Sequence, residues 1–154
     1  ELIARVFVPR RDIHAVKDLA QTGIERGADP LALYPVLATA ARTMQEFEEA
    51  KAAYQHLLTL QPYSYEAYAQ LGQLYMQERN FGRAALSWQK AVESNPHSAG
   101  AFYNLGAAQE RRYRFFEAEK AYARAVELAP DNASFRQHYE AFRQKVAANA
   151  EPEG

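Results

Sequence analysis

Proline recurs at Pro62, Pro96 and Pro130, and alanine at Ala50, Ala84 and Ala118, each 34 after the last. A large aromatic, Tyr54, Trp88 or Tyr122, follows each of those alanines by four positions. Tyr34, Tyr68 and Phe102 keep the same interval, as do Leu37, Leu71 and Leu105. Gly72 and Gly106 follow two of these leucines, and Ala38 holds the matching place in the first unit. A fixed period of this length constrains the fold more than any other feature. Each period is one supersecondary unit too small to bury its own apolar face, so successive units must stack.

Within a period the apolar pattern predicts two helices. Over Tyr65–Glu78, Tyr68, Leu71, Leu74 and Tyr75 form one stripe of a 3.6-residue period. Arg79 and Asn80 interrupt it, and a second stripe of Phe81, Ala84, Ala85, Trp88, Ala91 and Val92 follows. Pro96 stops the second helix, and Ser98 is placed to cap the next; Asn132 stands in the same place after Pro130, and Asp29–Pro30 opens the helix that contains Tyr34. Gly72, Ala84, Ala91 and their equivalents let two helix axes approach while the aromatics fill the space beside them. Pro35 falls inside a first helix, where a kink or a lost hydrogen bond is expected.

These residues resemble the tetratricopeptide repeat, whose pattern W-x2-L-G-x2-Y…A-x3-F…P is matched most closely by Tyr68, Leu71, Gly72, Tyr75, Ala84, Trp88, Ala91 and Pro96. The unit 99–132 departs at Gln109, and the unit 31–64 at Ala41 and Leu57. The resemblance implies an all-α fold, a right-handed superhelical solenoid of antiparallel helix pairs. The expected organisation is a single domain over 1–147. Residues 1–30 form a degenerate partial repeat, with full repeats at 31–64, 65–98 and 99–132. A C-terminal capping helix covers 133–147, carrying Phe135, Tyr139, Phe142 and Val146 on one stripe, and 148–154 is expected to be a disordered tail. Asp12–Arg26 is amphipathic and suits the second helix of the decayed unit; Pro9 leaves open whether residues 1–9 form its first helix or an extended lead-in.

Chemistry-bearing motifs are sparse. The four histidines, His14, His56, His97 and His138, show no pair at metal-ligand spacing. No nucleophile motif or glycine-rich phosphate loop appears, and Glu46, Glu48 and Glu49 suit the positive end of a helix rather than acid–base work. Zero cysteines exclude thiol chemistry and a disulfide scaffold, leaving cytoplasm and periplasm equally compatible. Enzymatic activity, a metal and a cofactor are therefore not expected. No apolar run reaches membrane-spanning length. A formal charge of −1, from 18 basic and 19 acidic residues, argues against nucleic acid as a partner. The run Arg111, Arg112, Arg114 beside Tyr113, Phe115 and Phe116 is balanced by the acidic residues of its own unit and suits a solvated turn. Phe115 shares the register of Phe47 and Phe81 and belongs to the core; Phe116 does not, and suits a contact surface.

The resemblance places a peptide-binding groove on the first-helix residues that face away from the partner helix. By register these are Thr39, Arg42 and Thr43, then Ala69, Gln70, Gln73, Met76 and Gln77, then Tyr103, Asn104, Ala107 and Arg111, with Gln137, His138 and Ala141 of the last helix extending the wall. The amides suit a bound backbone, and Tyr103 suits a side-chain anchor. Members that clamp the acidic C-terminal peptides of chaperones use Lys, Asn, Asn, Lys and Arg. Here only Asn104 falls in such a register, while Ala69, Gln73, Ser134 and His138 stand at the other places, which disfavours that mode. The expected function is a non-enzymatic interaction module, an adaptor or assembly factor, holding a protein or peptide. The alternatives left open are self-association into a homo-oligomer and the recruiting arm of a longer enzyme. A first residue of Glu rather than Met suits a processed form or a fragment.

Overall fold

The computed structural model describes residues 10–150, and all regular structure among them is helical: α1 (Arg10–Glu25), α2 (Pro30–Thr43), α3 (Phe47–Leu60), α4 (Tyr65–Gln77), α5 (Phe81–Ser94), α6 (Ala99–Arg111), α7 (Phe115–Leu128) and α8 (Ala133–Ala150). The chain forms two compact units, Glu1–Ala67 and Tyr68–Gly154, with the boundary inside α4. In the first, α2 packs on both α1 and α3; in the second, α5 packs on α6, α6 on α7 and α7 on α8.

The recurring prolines have a defined job. Each is the second residue of a tight turn closed by a backbone bond from the fourth residue to the first: Ser64 N–H to Gln61 (3.1 Å), Ser98 to Asn95 (3.3 Å) and Asn132 to Ala129 (3.0 Å). Proline's fixed φ suits that second position and ends the preceding helix. The fourth residue then caps the next helix. Ser64 Oγ accepts from Ala67 N–H, Ser98 Oγ from Ala101 and Asn132 Oδ1 from Phe135, at 3.3, 3.2 and 3.1 Å. Asp29 caps α2 through Leu31 N–H at 3.0 Å, with Pro30 in the first turn. Each such cap is worth about 1 kcal/mol.

The turn inside each repeat is also built the same way three times. Gln45, Arg79 and Tyr113, spaced by the same period, have φ of 64°, 59° and 59°. The residue after each donates its N–H back across the turn, Glu46 to Ala41, Asn80 to Tyr75 and Arg114 to Gln109, at 2.9, 2.8 and 2.9 Å. The left-handed residue itself donates to Arg42, Met76 or Glu110. This is a Schellman-type closure with a non-glycine residue where glycine is unstrained. α1 closes in the same manner with Gly27 at φ 82°.

Packing follows the predicted register. Ala38, Ala50, Ala84, Ala91, Ala118 and Ala125 are wholly buried, and Tyr54, Trp88 and Tyr122 are core residues too. Leu57, at a usually small position, is also buried. Three expectations for particular segments have separate outcomes. α2 runs through Pro35 as one helix, and of the two alternatives expected there the lost hydrogen bond holds, the missing donor to Leu31. α8 continues to Ala150, so 148–150 are helical rather than tail; Ala147, Ala148 and Ala150 are strong helix formers, and neither Gly nor Pro interrupts them. The expectations for residues 1–9 and 151–154 lie outside the described residues.

Candidate functional site

In the first unit Thr39, Arg42 and Thr43 are exposed on α2. Thr39 hydrogen-bonds the Tyr54 hydroxyl, whose pKa burial pushes up while the charge of Arg42 draws it down. Thr43 Oγ1 donates to the Thr39 carbonyl at 2.8 Å. Thr43 also borders a recess lined by Ile13, His14, Met44, Gln45 and Glu46.

The second unit carries the remaining candidate residues. Gln73 and Gln77 are exposed one turn apart on α4, whereas Ala69 is buried and Gln70 and Met76 are half-buried. Gln70, Asn104 and His138 stand at one register position in successive periods, and all three are half-buried polar side chains. Arg111 is exposed, with its guanidinium over the Phe81 ring at 4.7 Å. Gln137 and Ala141 are exposed on α8.

Tyr103 and His138 are more committed than a free groove wall would be. The Tyr103 ring stacks on Phe135 at 4.7 Å and meets the His138 and Tyr122 rings at 5.2 and 5.5 Å. Tyr122 donates its one phenolic proton to Glu110 Oε2 at 2.8 Å. His138 Nε2, 3.1 Å from the same hydroxyl, must therefore be the donor in that contact. Lys145 Nζ stands 3.6 Å from Glu110 Oε1. Phe142, from the same helix, closes on Tyr122 and Ala118. Burial first, and then the carboxylate of Glu110, push the Tyr122 pKa well above the ordinary phenol value. Glu110 was not singled out from sequence. The signal for it was its register: it stands two periods after Arg42, at the position that faces the aromatic tip, where Arg42 influences Tyr54.

Among the described residues, no group of three or more His, Cys, Asp or Glu side chains is placed to hold a metal. No described helix is long and apolar enough to cross a membrane. The arrangement offers hydrogen-bonding amides, a few cations and half-buried rings, which is equipment for contact.

A family model of the tetratricopeptide repeat matches residues 36–88 and 69–133, together more than half of the chain. The chain belongs to the tetratricopeptide repeat family. No curated protein matches it in sequence. Among solved structures, residues 41 to the end of MamA from Desulfovibrio magneticus RS-1 superpose with a TM-score of 0.70 at 20% identity, covering 88% of this chain and 85% of that one. The first tetratricopeptide domain of Spaghetti (RPAP3), bound to the HSP90 peptide SRMEEVD, gives 0.62 at 20% identity over 92% and 98%. A tetratricopeptide repeat protein from Parabacteroides merdae gives 0.82 at 20% identity over 93% and 57%. At 20% identity these likenesses show the shared fold alone.

Proposed function

We propose that this chain is a non-enzymatic module that binds a peptide or a segment of a partner protein along its first-helix faces, as an adaptor or assembly factor. The observation that carries this reading is the pair Gln70 and Asn104, amide side chains held half-buried at one register position on the successive first helices α4 and α6. Exposed Gln73 and Gln77 lie alongside. Amides provide both donors and acceptors, so this amide row suits the main chain of an extended guest. Spaghetti (RPAP3) binds an HSP90 peptide on this fold. Its acidic guest is a poor model here, because Ala69, Gln73, Ser134 and His138 stand where the clamp residues of such members belong. In this reading α1 is the second helix of a decayed unit and α8 is the cap, with Tyr103 supporting the wall from behind rather than anchoring the guest.

The test is a peptide-array selection on the intact chain and on the Gln73→Ala, Gln77→Ala, Asn104→Ala variant. Peptides enriched by the wild type should be lost by the variant at an unchanged melting temperature. Equal enrichment by both proteins contradicts the reading.

A further inference from the structure

The three Schellman-type turns share one backbone but differ in what they display. The first presents Gln45, Glu46 and Glu48, and the second presents Arg79, Asn80 and Gly82. The third presents Arg112, Tyr113, Arg114 and Phe116. Tyr113 is 81% exposed and Phe116 is 72% exposed, although the other two turns close without an apolar residue at either place. The fold therefore does not require these rings. Tyr113 meets Phe115 edge-on at 6.1 Å, and Lys120 lies over Phe116 at 5.4 Å.

The charge balance of this region changes once α8 is in place. Along the chain Glu110, Glu117 and Glu119 offset the neighbouring cations. In the structure Glu110 faces Lys145 and accepts from Tyr122, and Glu119 faces Arg143 at 3.6 Å. Glu117 remains, 3.9 Å from Arg114. Arg112 bonds the neutral Gln109 amide, at 3.0 Å, and Arg111 lies on Phe81. Two carboxylates thus face cations of α8, which leaves Arg112, Arg114 and Lys120 beside two exposed rings, against Glu117.

We infer that the α6–α7 turn is a second docking surface, separate from the amide row, which takes an acidic partner segment carrying an aromatic or bulky apolar residue. Exposed Tyr and Arg together are the side chains that anchor protein interfaces, since planar groups bury much area with few rotors to immobilise. The guanidinium surplus selects carboxylates, and the two rings seat the apolar residue. A nucleic-acid strand fits less well, because Glu117 stands among the cations and the chain as a whole carries −1.

The test uses fluorescence anisotropy with three labelled probes: a nonapeptide of Asp and Glu around a central Phe, the same peptide with Ala for Phe, and a single-stranded oligonucleotide. The variant is Tyr113→Gln with Phe116→Glu, which copies the first turn and so keeps a side-chain set that this backbone already accepts. The Phe peptide should bind tightest, at least tenfold tighter than to the variant, and weaken as salt rises. The Gln73→Ala, Asn104→Ala variant should bind it as wild type does, which separates this surface from the amide row. Equal binding to the turn variant, no binding of the Phe peptide, or a preference for the oligonucleotide overturns the proposal. So does sedimentation showing wild-type dimers that the turn variant abolishes, which would make a second copy the occupant.

Discussion

A methyl group placed on Gly72 would stand 2.6 Å from Cε2 and 2.7 Å from Nε1 of Trp88. Neither α4 nor the indole can yield cheaply, since Trp88 is itself buried. Gly72→Ala should therefore destabilise by about 1–3 kcal/mol through overpacking, although alanine is the better helix former. The same register in the first unit holds Ala38, wholly buried, and the place of Trp88 there is taken by the smaller Tyr54. Ala38→Gly should also destabilise, by about 1 kcal/mol, because it weakens a helix and removes a packed methyl. Thermal melts followed by circular dichroism check both. A rise in melting temperature for Gly72→Ala contradicts the close approach.

Arg79 shows the opposite imbalance. Its side chain is exposed, yet its backbone sits at φ 59°, a conformation that costs an L-residue about 1–2 kcal/mol. Glycine removes that cost but gives back about 0.5–1 kcal/mol as unfolded-chain entropy. Arg79→Gly should stabilise by up to about 1 kcal/mol, a gain of a few degrees in melting temperature. Gly27→Ala, at φ 82°, should do the reverse. Paired melting curves decide, and a loss of stability in Arg79→Gly would show that the left-handed turn is not strained.

The period made the fold legible because it fixes several residue types at once. Ser98, Asn132 and Asp29 cap where expected, and Ala84, Ala118 and the aromatics fill the core at their register positions. The site was less legible. Register tells which face of α6 carries Tyr103, but not that α8 lays Phe135 and His138 against it. A summed charge likewise hides which carboxylates are occupied: Glu110 and Glu119 face Lys145 and Arg143, cations of a different helix. Such tertiary partners have no period, and so leave no mark on a repeat pattern.

A charge cluster ties α1 to the start of α3, and its limits are set by pH. Lys17 Nζ hydrogen-bonds Glu46 and lies 2.6 Å from a Glu49 carboxylate oxygen, at the start of α3. The bond to Lys17 holds the Glu46 carboxyl below its ordinary 4.5, and the bond to Glu46 raises Lys17 above 10.5. Glu46's contribution is thus complete above pH 4.5 and is lost as pH falls through its lowered folded value. That of Lys17 is complete below pH 10.5 and is lost as pH climbs through its raised value. Hydrogen-exchange protection factors of α1 amides should hold across this window and fall at both edges. Lys17→Met should lower them throughout and remove the acid-side dependence. High salt should mimic it in part, because the cluster is only partly shielded from water.

Tyr122 provides a separate alkaline limit for the second unit. Its phenol is buried against α8 and donates a hydrogen bond to the Glu110 carboxylate, so ionising it in place would set two negative oxygens 2.8 Å apart. The folded pKa is raised, by burial first, far above the ordinary 10.0. The sign follows directly: the unfolded chain releases this proton near its ordinary value and the folded chain does not. Tyr122's contribution is therefore complete below pH 10.0 and is progressively lost above it. Tyr122→Phe removes that share of the alkaline slope and, at neutral pH, costs about 1 kcal/mol for the lost hydrogen bond. Tyr54 and Tyr103 are also raised by burial, so some slope should remain in the variant. Urea midpoints measured from neutral to strongly alkaline pH check this. Identical slopes for wild type and Tyr122→Phe would mean that the phenol ionises while folded, and that the bond to Glu110 does not hold its proton.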